Sequence, residues 1–581
     1  MRFRALALDF DGTITQDGRL HPEVRAAIDE SRARGVAVIL VTGRILEDLR
    51  RVVGDLRIFD AVVAENGAVL AYPEKGRSMT LAHPPPAILL EEFGRRGIPA
   101  VAGECLIEAD AALAPRILEV IRERELPLVI LFNRGRLMIL PQAVSKGTGL
   151  REALFTLRLS PHNAIAIGDA ENDHSMLEAC EVGVAVPWGS ESLRAVADEV
   201  LRGSDPGAVA AYIRQVTAEL RLPKKRKRRQ LLLGSSKEGH PLNLAVRGRN
   251  ILVAGDSGSG KSWVAGLICE QLILQRYSVC VIDPEGDYVS LDPLPGVVVF
   301  CDNNPPHFHD LEQALHDLEA SVVVDLSTLS PAQRVEYVPS LLEMLGALRR
   351  QTGVPHRIVL DEAHYFLHGP EARQVLDLDL AAYTLVTYQA SRLDPSVLQA
   401  SEAIIVTHES DPAEIGRLHA LLGGKETEAE WQAILGSLAV QEAALLSGPE
   451  DSPEELRRFR VAPRLTSHVR HQHKYLDIPM ASTNAFVFTD RGVPTGPCAH
   501  SLLEFVGMAS ACSQEVLKEH MRRHDFSKWI RDIFRDSSLA AQVHSLETRR
   551  DLISESEIKV SLAKLIWERY ISPISGDSRS G

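Results

Sequence analysis

Several features of exported and membrane proteins are missing from this chain. Its seven cysteines (Cys105, Cys180, Cys269, Cys280, Cys301, Cys498 and Cys512) are scattered and form no CxxC pair. That argues against a disulfide frame and against a thiolate zinc site, and fits reduced thiols in the cytoplasm. No stretch approaches about 18 uninterrupted apolar residues, so no membrane span is expected. A secretory leader is not expected either, because Asp9 and Asp11 fall where its apolar core would lie. Positive charge is also scarce. With 64 Lys+Arg against 78 Asp+Glu, the net charge of −14 argues against a whole-surface affinity for nucleic acid. No internal repeat points to a solenoid. What remains is an ordinary globular composition, 45% hydrophobic and 24% charged, on 581 residues. One core cannot serve that length, and roughly two to four domains are expected in a cytoplasmic protein.

From residue 1 to about 220, short apolar runs alternate with helical patterns: "RALALDF", "VAVILVTG", "AVVAENGAVLAY", "NAIAIGDA" and "VGVAVP". Runs this apolar suit the strands of a parallel sheet covered on both faces. Six consecutive basic residues, Lys224–Arg229, come next. Residues 221–230 read as a solvated linker, with a polyanion-binding patch or a nuclear localisation signal as alternatives. Alternation resumes over 231–460 with "NILVAGD", "SVCVIDPEGDY", "SVVVDL", "RIVLDEAH", "TLVTYQ" and "AIIVTH". The expected fold class is therefore α/β, with two Rossmann-like, doubly wound parallel-sheet domains. Residues 461–581 differ: one strand-like run, "AFVFTD", and then helical segments of no legible role. His468, His471 and His473 there lack an acidic or thiol partner at ligand spacing and read as solvated or packing side chains.

The first chemical motif is "LALDFDGTIT" (6–15), which sets Asp9 and Asp11 at the end of an apolar strand. Two carboxylates there are costly unless neutralised, and a divalent cation with oxygen ligands, such as magnesium, neutralises them. "IGDAENDHSML" (167–177) supplies Asp169 after another strand, with Asp173 four residues on. "ILVTGR" places Thr42 at a strand end and "SKGTGL" places Lys146 before a helix. A hydroxyl and an ammonium are what phosphoryl oxygens need around them.

These motifs, in this order over about 1–215, resemble the haloacid dehalogenase superfamily of phosphatases, in its sugar-phosphatase-like (Cof-type) branch; "ENGA" (65–68) matches that branch too, and the domain is expected over 1–220. The resemblance implies a HAD-like fold with Asp9 as the nucleophile that forms an aspartyl-phosphate, and Asp11 as acid and then base. It implies magnesium held by Asp9, the Asp11 carbonyl and Asp169, with Asp173 close by. Thr42, Gly43 and Lys146 would hold the phosphoryl group, and Asn172 would help order the loop. Residues of about 45–145 would form the cap that selects a small phosphorylated metabolite. Caps of this size resemble those of phosphoglycolate, sucrose-phosphate and mannosylglycerate-type phosphatases, and the sequence does not choose among them.

"GDSGSGKS" (255–262) fits the P-loop pattern between a strand and a helix. The backbone of Gly255, Asp256, Ser257, Gly258, Ser259 and Gly260 would cradle the phosphates of ATP. Lys261 would reach the β/γ oxygens and Ser262 a magnesium ion. "RIVLDEAH" ends a strand in Asp361, a second magnesium contact, and Glu362, which would polarise the attacking water. Thr387 and Gln389 on "LVTYQ" are placed to sense the γ-phosphate. With "VIDPEGDY" these elements resemble HerA/FtsK-type ATPases over about 231–415, a group whose members form hexameric rings and in many cases move DNA. Two points depart from that group: there is no room for the β-barrel that precedes the HerA core, and no arginine finger is assignable, Arg392 included.

The leading expectation is a magnesium-dependent phosphomonoester hydrolase fused to an ATP-hydrolysing domain. Two alternatives stay open. One is a hexameric motor on DNA with the phosphatase as effector, which only the basic run favours. The other is a metabolic phosphatase regulated or oligomerised by its ATPase domain, which the net acidity favours mildly.

Overall fold

The computed structural model describes residues 2–570 apart from 134, 221, 223–228, 247–248, 303, 370–374, 423–425, 448–455, 467–484, 497, 535–536 and 549–554. Three histidines of the sequence reading (468, 471 and 473) and residues 224–228 of the basic run lie outside the described residues. No helix among the described residues is long and apolar enough to cross a membrane.

The first region is built on an eight-stranded sheet. From one edge its strands are Glu199–Val200, Val182–Ala185, Ala164–Gly168, Ala5–Asp9, Ala37–Val41, Ala61–Ala64, Val69–Tyr72 and Arg77–Thr80. The first six run parallel and the last two antiparallel. The central strands are buried, with only Ala37 half-buried at the start of its strand, as their unbroken apolar runs predict.

Two expectations need correction here. "AVVAENGAVLAY" is not one strand: Glu65 and Asn66 take positive φ (52° and 56°) and turn the chain back on itself. The cap also starts later than residue 45. Residues 46–80 supply a helix and three strands to the main sheet. The separate four-stranded antiparallel sheet uses Ala100–Ala102, Ile107–Asp110, Leu128–Asn133 and Arg136–Pro141, with helices Ala87–Arg95 and Ala114–Glu123.

The second region has an eleven-stranded sheet. Seven strands form a parallel core, in the order Ser401–Val406, Asn250–Ala254, Tyr383–Thr387, Arg357–Leu360, Val279–Asp283, Ser321–Asp325 and Val297–Phe300. Four antiparallel strands extend it: Glu442–Ser447, Arg457–Val461, Gln230–Ser235 and Pro241–Ala245. The C-terminal part is helical, from Leu502–Ala511 to Glu555–Tyr570, around its own apolar cluster that includes Phe486, Phe488, Phe505, Phe526 and Trp529. "AFVFTD" yields only the two-residue strand Thr489–Asp490 and a bridge at Phe486.

The two sheets meet at the N-terminal ends of their parallel strands. His162, just before Ala164–Gly168, stacks on Tyr277, just before Val279–Asp283, with ring centroids 3.7 Å apart. Both reach the buried Glu181: His162 Nδ1 lies 2.9 Å from Oε2, and the Tyr277 hydroxyl donates to it at 2.8 Å. His162 Nε2 lies 3.1 Å from the carbonyl oxygen of Gln275. His356, just before Arg357–Leu360, accepts the Ser278 N–H on Nδ1 at 2.8 Å and sets its edge against both rings. Burial pushes both histidines below the ordinary imidazole range. Arg229 corrects the reading of the basic run as wholly solvated. Its guanidinium donates to the carbonyls of Glu178 and Cys180 and lies 3.6 Å from Glu181. One hydrophobic cluster runs through this junction from Phe3 and Leu6 to Leu231, Ile273 and Tyr277.

Candidate functional site

Asp9 and Asp169 come from strand ends, Asp11 from the turn that follows the first strand, and Asp173 from the short helix Glu171–Asp173. Asp9 closes Ala5–Asp9 and is buried. Gly12, at φ 84°, turns the chain so that Thr13 donates to Asp169 Oδ1 at 3.3 Å. Trp188 fixes the same loop by donating its indole N–H to the Gly12 carbonyl at 2.6 Å. Lys146 opens the helix Lys146–Thr156, whose Ser145 forms a reciprocal capping box with Thr148. That helix can come close because Gly67 has no side chain: a Cβ there would lie 1.9 Å from the Ser145 carbonyl oxygen.

The result is a buried cluster of three carboxylates and one ammonium. Lys146 Nζ donates to Asp9 Oδ1 at 2.5 Å and to Asp173 Oδ1 at 2.6 Å. Asp173 Oδ2 accepts the backbone N–H groups of Asp169 and Ala170, both at 3.0 Å. Ligand atoms of Asp9, Asp169 and Asp173 lie within 4.8 Å of one another. Burial, followed by the Asp173 charge, pushes the Asp9 carboxyl well above its usual range, and Lys146 offsets only part of this. Burial opposes the charge on Lys146, but Asp173 and Asp9 outweigh it and hold the amine above its ordinary range. One ammonium among three buried carboxylates leaves negative charge uncompensated, and an all-oxygen donor set of this kind fits a hard divalent cation.

Asp11 faces another way. Arg44 grips it with two donors, Nε to Oδ2 and Nη2 to Oδ1, both at 2.7 Å, and also donates to Asp48 at 3.0 Å. Thr42 is buried, and its hydroxyl accepts the Arg44 N–H at 3.1 Å across Gly43. The Asn172 amide nitrogen is buried with no hydrogen-bond partner among the described residues. Arg44 and Trp188 were missed in the sequence. Arg44 stood at the end of "VTGR", but its partner lies 33 positions away.

The second set gathers around the strand Asn250–Ala254 and the helix Lys261–Leu274. Gly255, Gly258 and Gly260 all take positive φ (144°, 75° and 104°), as a tight phosphate-binding loop demands. Lys261 Nζ and the Ser259 hydroxyl both donate to the Asp256 carbonyl, at 2.8 and 2.7 Å, so the lysine folds back over the loop that holds Ser257. The Asp256 carboxylate accepts from Ser410 at 2.7 Å. Ser262 donates to Asp287 Oδ2 at 2.7 Å. Asp287 was also missed, although it sits in the quoted "VIDPEGDY". Asp283 has a structural task there, accepting the N–H groups of Glu285, Gly286, Asp287 and Tyr288.

Asp361 and Glu362 are buried, and Glu362 takes φ 48°. His364 lies between this pair and the next strand, 3.5 Å from Glu362 Oε2 and 3.1 Å from the Thr387 hydroxyl. Thr387 also accepts the Gln389 N–H at 3.0 Å, so its hydroxyl is engaged within the protein. The Gln389 carboxamide oxygen is buried without a hydrogen-bond partner among the described residues. Ser262 and Asp287 set two oxygen donors side by side, of the kind a hard cation takes.

Fold and site together define an α/β region with a buried acidic site of the phosphatase kind, joined to a second α/β region with a P-loop-like turn. Residues 6–87 and 102–213 match the family model for haloacid dehalogenase-like hydrolases, and residues 235–367 match that of the central domain of helicase HerA. A phosphoglycolate phosphatase of Methanosarcina acetivorans is 30% identical over 220 residues, covering 36% of this chain and 96% of the relative. One from Methanopyrus kandleri is 28% identical over 226 residues, covering 36% and 96%. A haloacid dehalogenase-like hydrolase from Bacteroides thetaiotaomicron superposes with a TM-score of 0.34 at 18% identity, covering 37% of this chain and 100% of that one. The chain belongs to the haloacid dehalogenase-like hydrolases, and it carries a HerA-like domain behind its phosphatase domain.

Proposed function

We propose that the phosphatase domain hydrolyses a small phosphomonoester through a phosphoaspartyl intermediate on Asp9, and that the HerA-like domain binds and hydrolyses ATP. The observation that carries the first half is Lys146 bridging Asp9 and Asp173 beside Asp169. Asp9 attacks phosphorus, the bond to the alcohol oxygen breaks, and Asp11 supplies the proton that the leaving alkoxide takes. Asp11 then removes a proton from a water that attacks the phosphoaspartate, releasing phosphate and restoring Asp9. Lys146, Thr42 and the Gly43 backbone hold the phosphoryl oxygens, and Asn172 orders the neighbouring turn. Arg44 holds Asp11 as the carboxylate in the resting site, and Asp11 turns from that grip toward the reacting oxygen to carry the proton. Asp9, Asp169 and the Asp11 carbonyl would hold magnesium, with Asp173 fixing the loop; when bound, the ion supplies neutralising charge.

In the second domain Gly255–Ser262 would cradle a triphosphate and Lys261 would swing from the Asp256 carbonyl to its β/γ oxygens. Ser262, Asp287 and Asp361 would hold magnesium. Glu362 is the residue to activate water, and His364 relates it to Thr387 and Gln389. The phosphoglycolate phosphatase relatives make 2-phosphoglycolate the first substrate to try. Of the two wider readings, an ATPase domain that regulates the phosphatase is favoured by the buried His162–Glu181–Tyr277 junction, which packs the two regions together.

The test is phosphate release with magnesium from 2-phosphoglycolate, sugar phosphates and ATP, with and without DNA. Asp9→Asn is expected to abolish monoester turnover alone and Lys261→Ala ATP turnover alone. Monoester turnover that survives Asp9→Asn would sink the nucleophile assignment. Stimulation of ATP turnover by DNA would favour the motor over the regulator.

A further inference from the structure

Away from both phosphate sites, the C-terminal helices bring two imidazoles and one carboxylate together. His524 ends the helix Gln514–Arg523 and opens Asp525–Trp529, at φ 58° and ψ 36°. Its ring lies beside that of His544, with centroids 4.6 Å apart. His544 and Glu547, three positions apart on the helix Ser537–Thr548, share one face of it. Ligand atoms of all three residues lie within 4.8 Å of one another.

We propose that His524, His544 and Glu547 bind zinc or a similar first-row divalent ion. The spacing of the three groups carries this. His524 Nδ1 and His544 Nδ1 lie 3.4 and 3.8 Å from Glu547 Oε2. An imidazole that hydrogen-bonds a carboxylate approaches to about 2.7–3.2 Å. His524 Nδ1 is buried, with no hydrogen-bond partner among the described residues. A tetrahedral ion with bonds of about 2.0–2.1 Å sets its ligand atoms about 3.3–3.4 Å apart. One imidazole stands off from the carboxylate at that separation and the other slightly beyond it. Both are too far for a hydrogen bond and near enough for a shared ion.

Glu547 is already oriented for such a role. Its Oε1 accepts the N–H groups of Phe526 and Ser527 at 3.1 and 3.2 Å, and its Oε2 accepts the Ser527 hydroxyl at 2.5 Å. These bonds fix the carboxylate and still leave Oε2 a lone pair for a metal. Asp525 is not a fourth ligand, because its Oδ2 accepts from His520 at 2.7 Å and from Arg523 at 2.9 Å. The remaining position opens to solvent: the side chain of His544 is 54% exposed and that of His524 35%, above a Glu547 exposed by only 1%. Water would complete the coordination there. Two imidazole nitrogens suit zinc and its neighbours, whereas magnesium prefers oxygen donors. The site would therefore take a different ion from the acidic cluster around Asp9. Once bound, the ion ties the turn at His524 to the helix Ser537–Thr548, beside the apolar cluster of Phe526, Trp529 and Val543.

The experiment is equilibrium dialysis of zinc against the full, chelator-stripped chain in excess magnesium, with cobalt absorption reporting coordination. Three variants are compared. His524→Asn keeps a residue that tolerates the left-handed turn, His544→Ala removes a mostly exposed ring, and a triple variant replaces His468, His471 and His473 by alanine. The wild type is expected to bind one equivalent with a Kd at or below about 1 µM. Affinity should fall about a hundredfold or more in His524→Asn and in His544→Ala, and stay unchanged in the triple variant. Cobalt should show the strong visible bands of a four-coordinate site, absent from the same two variants. Metal-free circular dichroism checks that these still fold, and His524→Asn decides should His544→Ala misfold. An equivalent that survives both substitutions, or that is lost in the triple variant, would overturn the site. So would wild-type protein that binds no zinc at this level.

Discussion

Asp11 and Arg44 show how one side chain sets the task of another. A bidentate guanidinium holds both oxygens of the carboxylate in one plane, which a lysine cannot do. Arg44→Lys is therefore expected to cut monoester kcat about tenfold with a smaller change in KM, and Asp11→Asn to cut it by about 10²–10⁴-fold. Steady-state kinetics on one good substrate separates the two. Glu362→Gln is expected to keep ATP binding and lose hydrolysis, read as retained nucleotide affinity without phosphate release. At this scale the sequence was most legible where a motif ends a strand or begins a helix, as Asp9, Asp169, Lys146 and Lys261 do. Partners brought together only by folding were not legible. Ser262 and Asp287 are 25 positions apart, and nothing local marks the pair.

Among elements, the boundary of the cap was the weakest part of the sequence reading, for a physical reason. Apolar residues crowd both sides of "ENG", so the run looks like one strand, although Asn66-Gly67 is itself a turn dipeptide that marks the break. Folding gives Glu65 a second task. Fully buried, it accepts the backbone N–H groups of Glu104, Cys105 and Leu106 at 2.9, 2.7 and 2.9 Å, tying the main sheet to the four-stranded one. Glu65→Ala would leave three donors without this acceptor, an expected loss of about 2–4 kcal/mol by denaturant unfolding. Amide exchange should rise first at residues 103–110. The parallel cores, by contrast, were readable from their unbroken apolar strands; the four antiparallel strands that extend the second sheet were not, since the two hairpins are joined only by pairing Gln230–Ser235 with Arg457–Val461, more than two hundred positions apart.

For the whole molecule, the junction at His162, Glu181, Tyr277 and His356 predicts a dependence on pH. Burial lowers both histidines, so the folded state keeps them neutral while the unfolded chain takes up protons below about pH 6.5. Their contribution is therefore present above that value and lost as pH falls, by up to about 1.4 kcal/mol per pH unit for each histidine. Denaturant unfolding at pH 7.5 and 5.5 should show the wild type losing more stability than His356→Leu over the same interval. A fragment ending at residue 222 should be less stable than the phosphatase domain in the intact chain, because it exposes the cluster that continues to Leu231, Ile273 and Tyr277. Equal midpoints would mean the junction contributes nothing.

The junction lies at the starts of the strands, whereas Asp9, Asp169 and Asp361 lie at or just past strand ends, so each site lies across its own sheet from the junction. The fusion fixes the ratio of the two sites at one to one in every copy of the chain. An inhibitor lodged at one set of strand ends is separated from the other site by its own sheet and the junction. Any cross-inhibition seen in kinetics must then travel as a shift of strands through the shared floor, and its mixed or noncompetitive form would be the signature of that route.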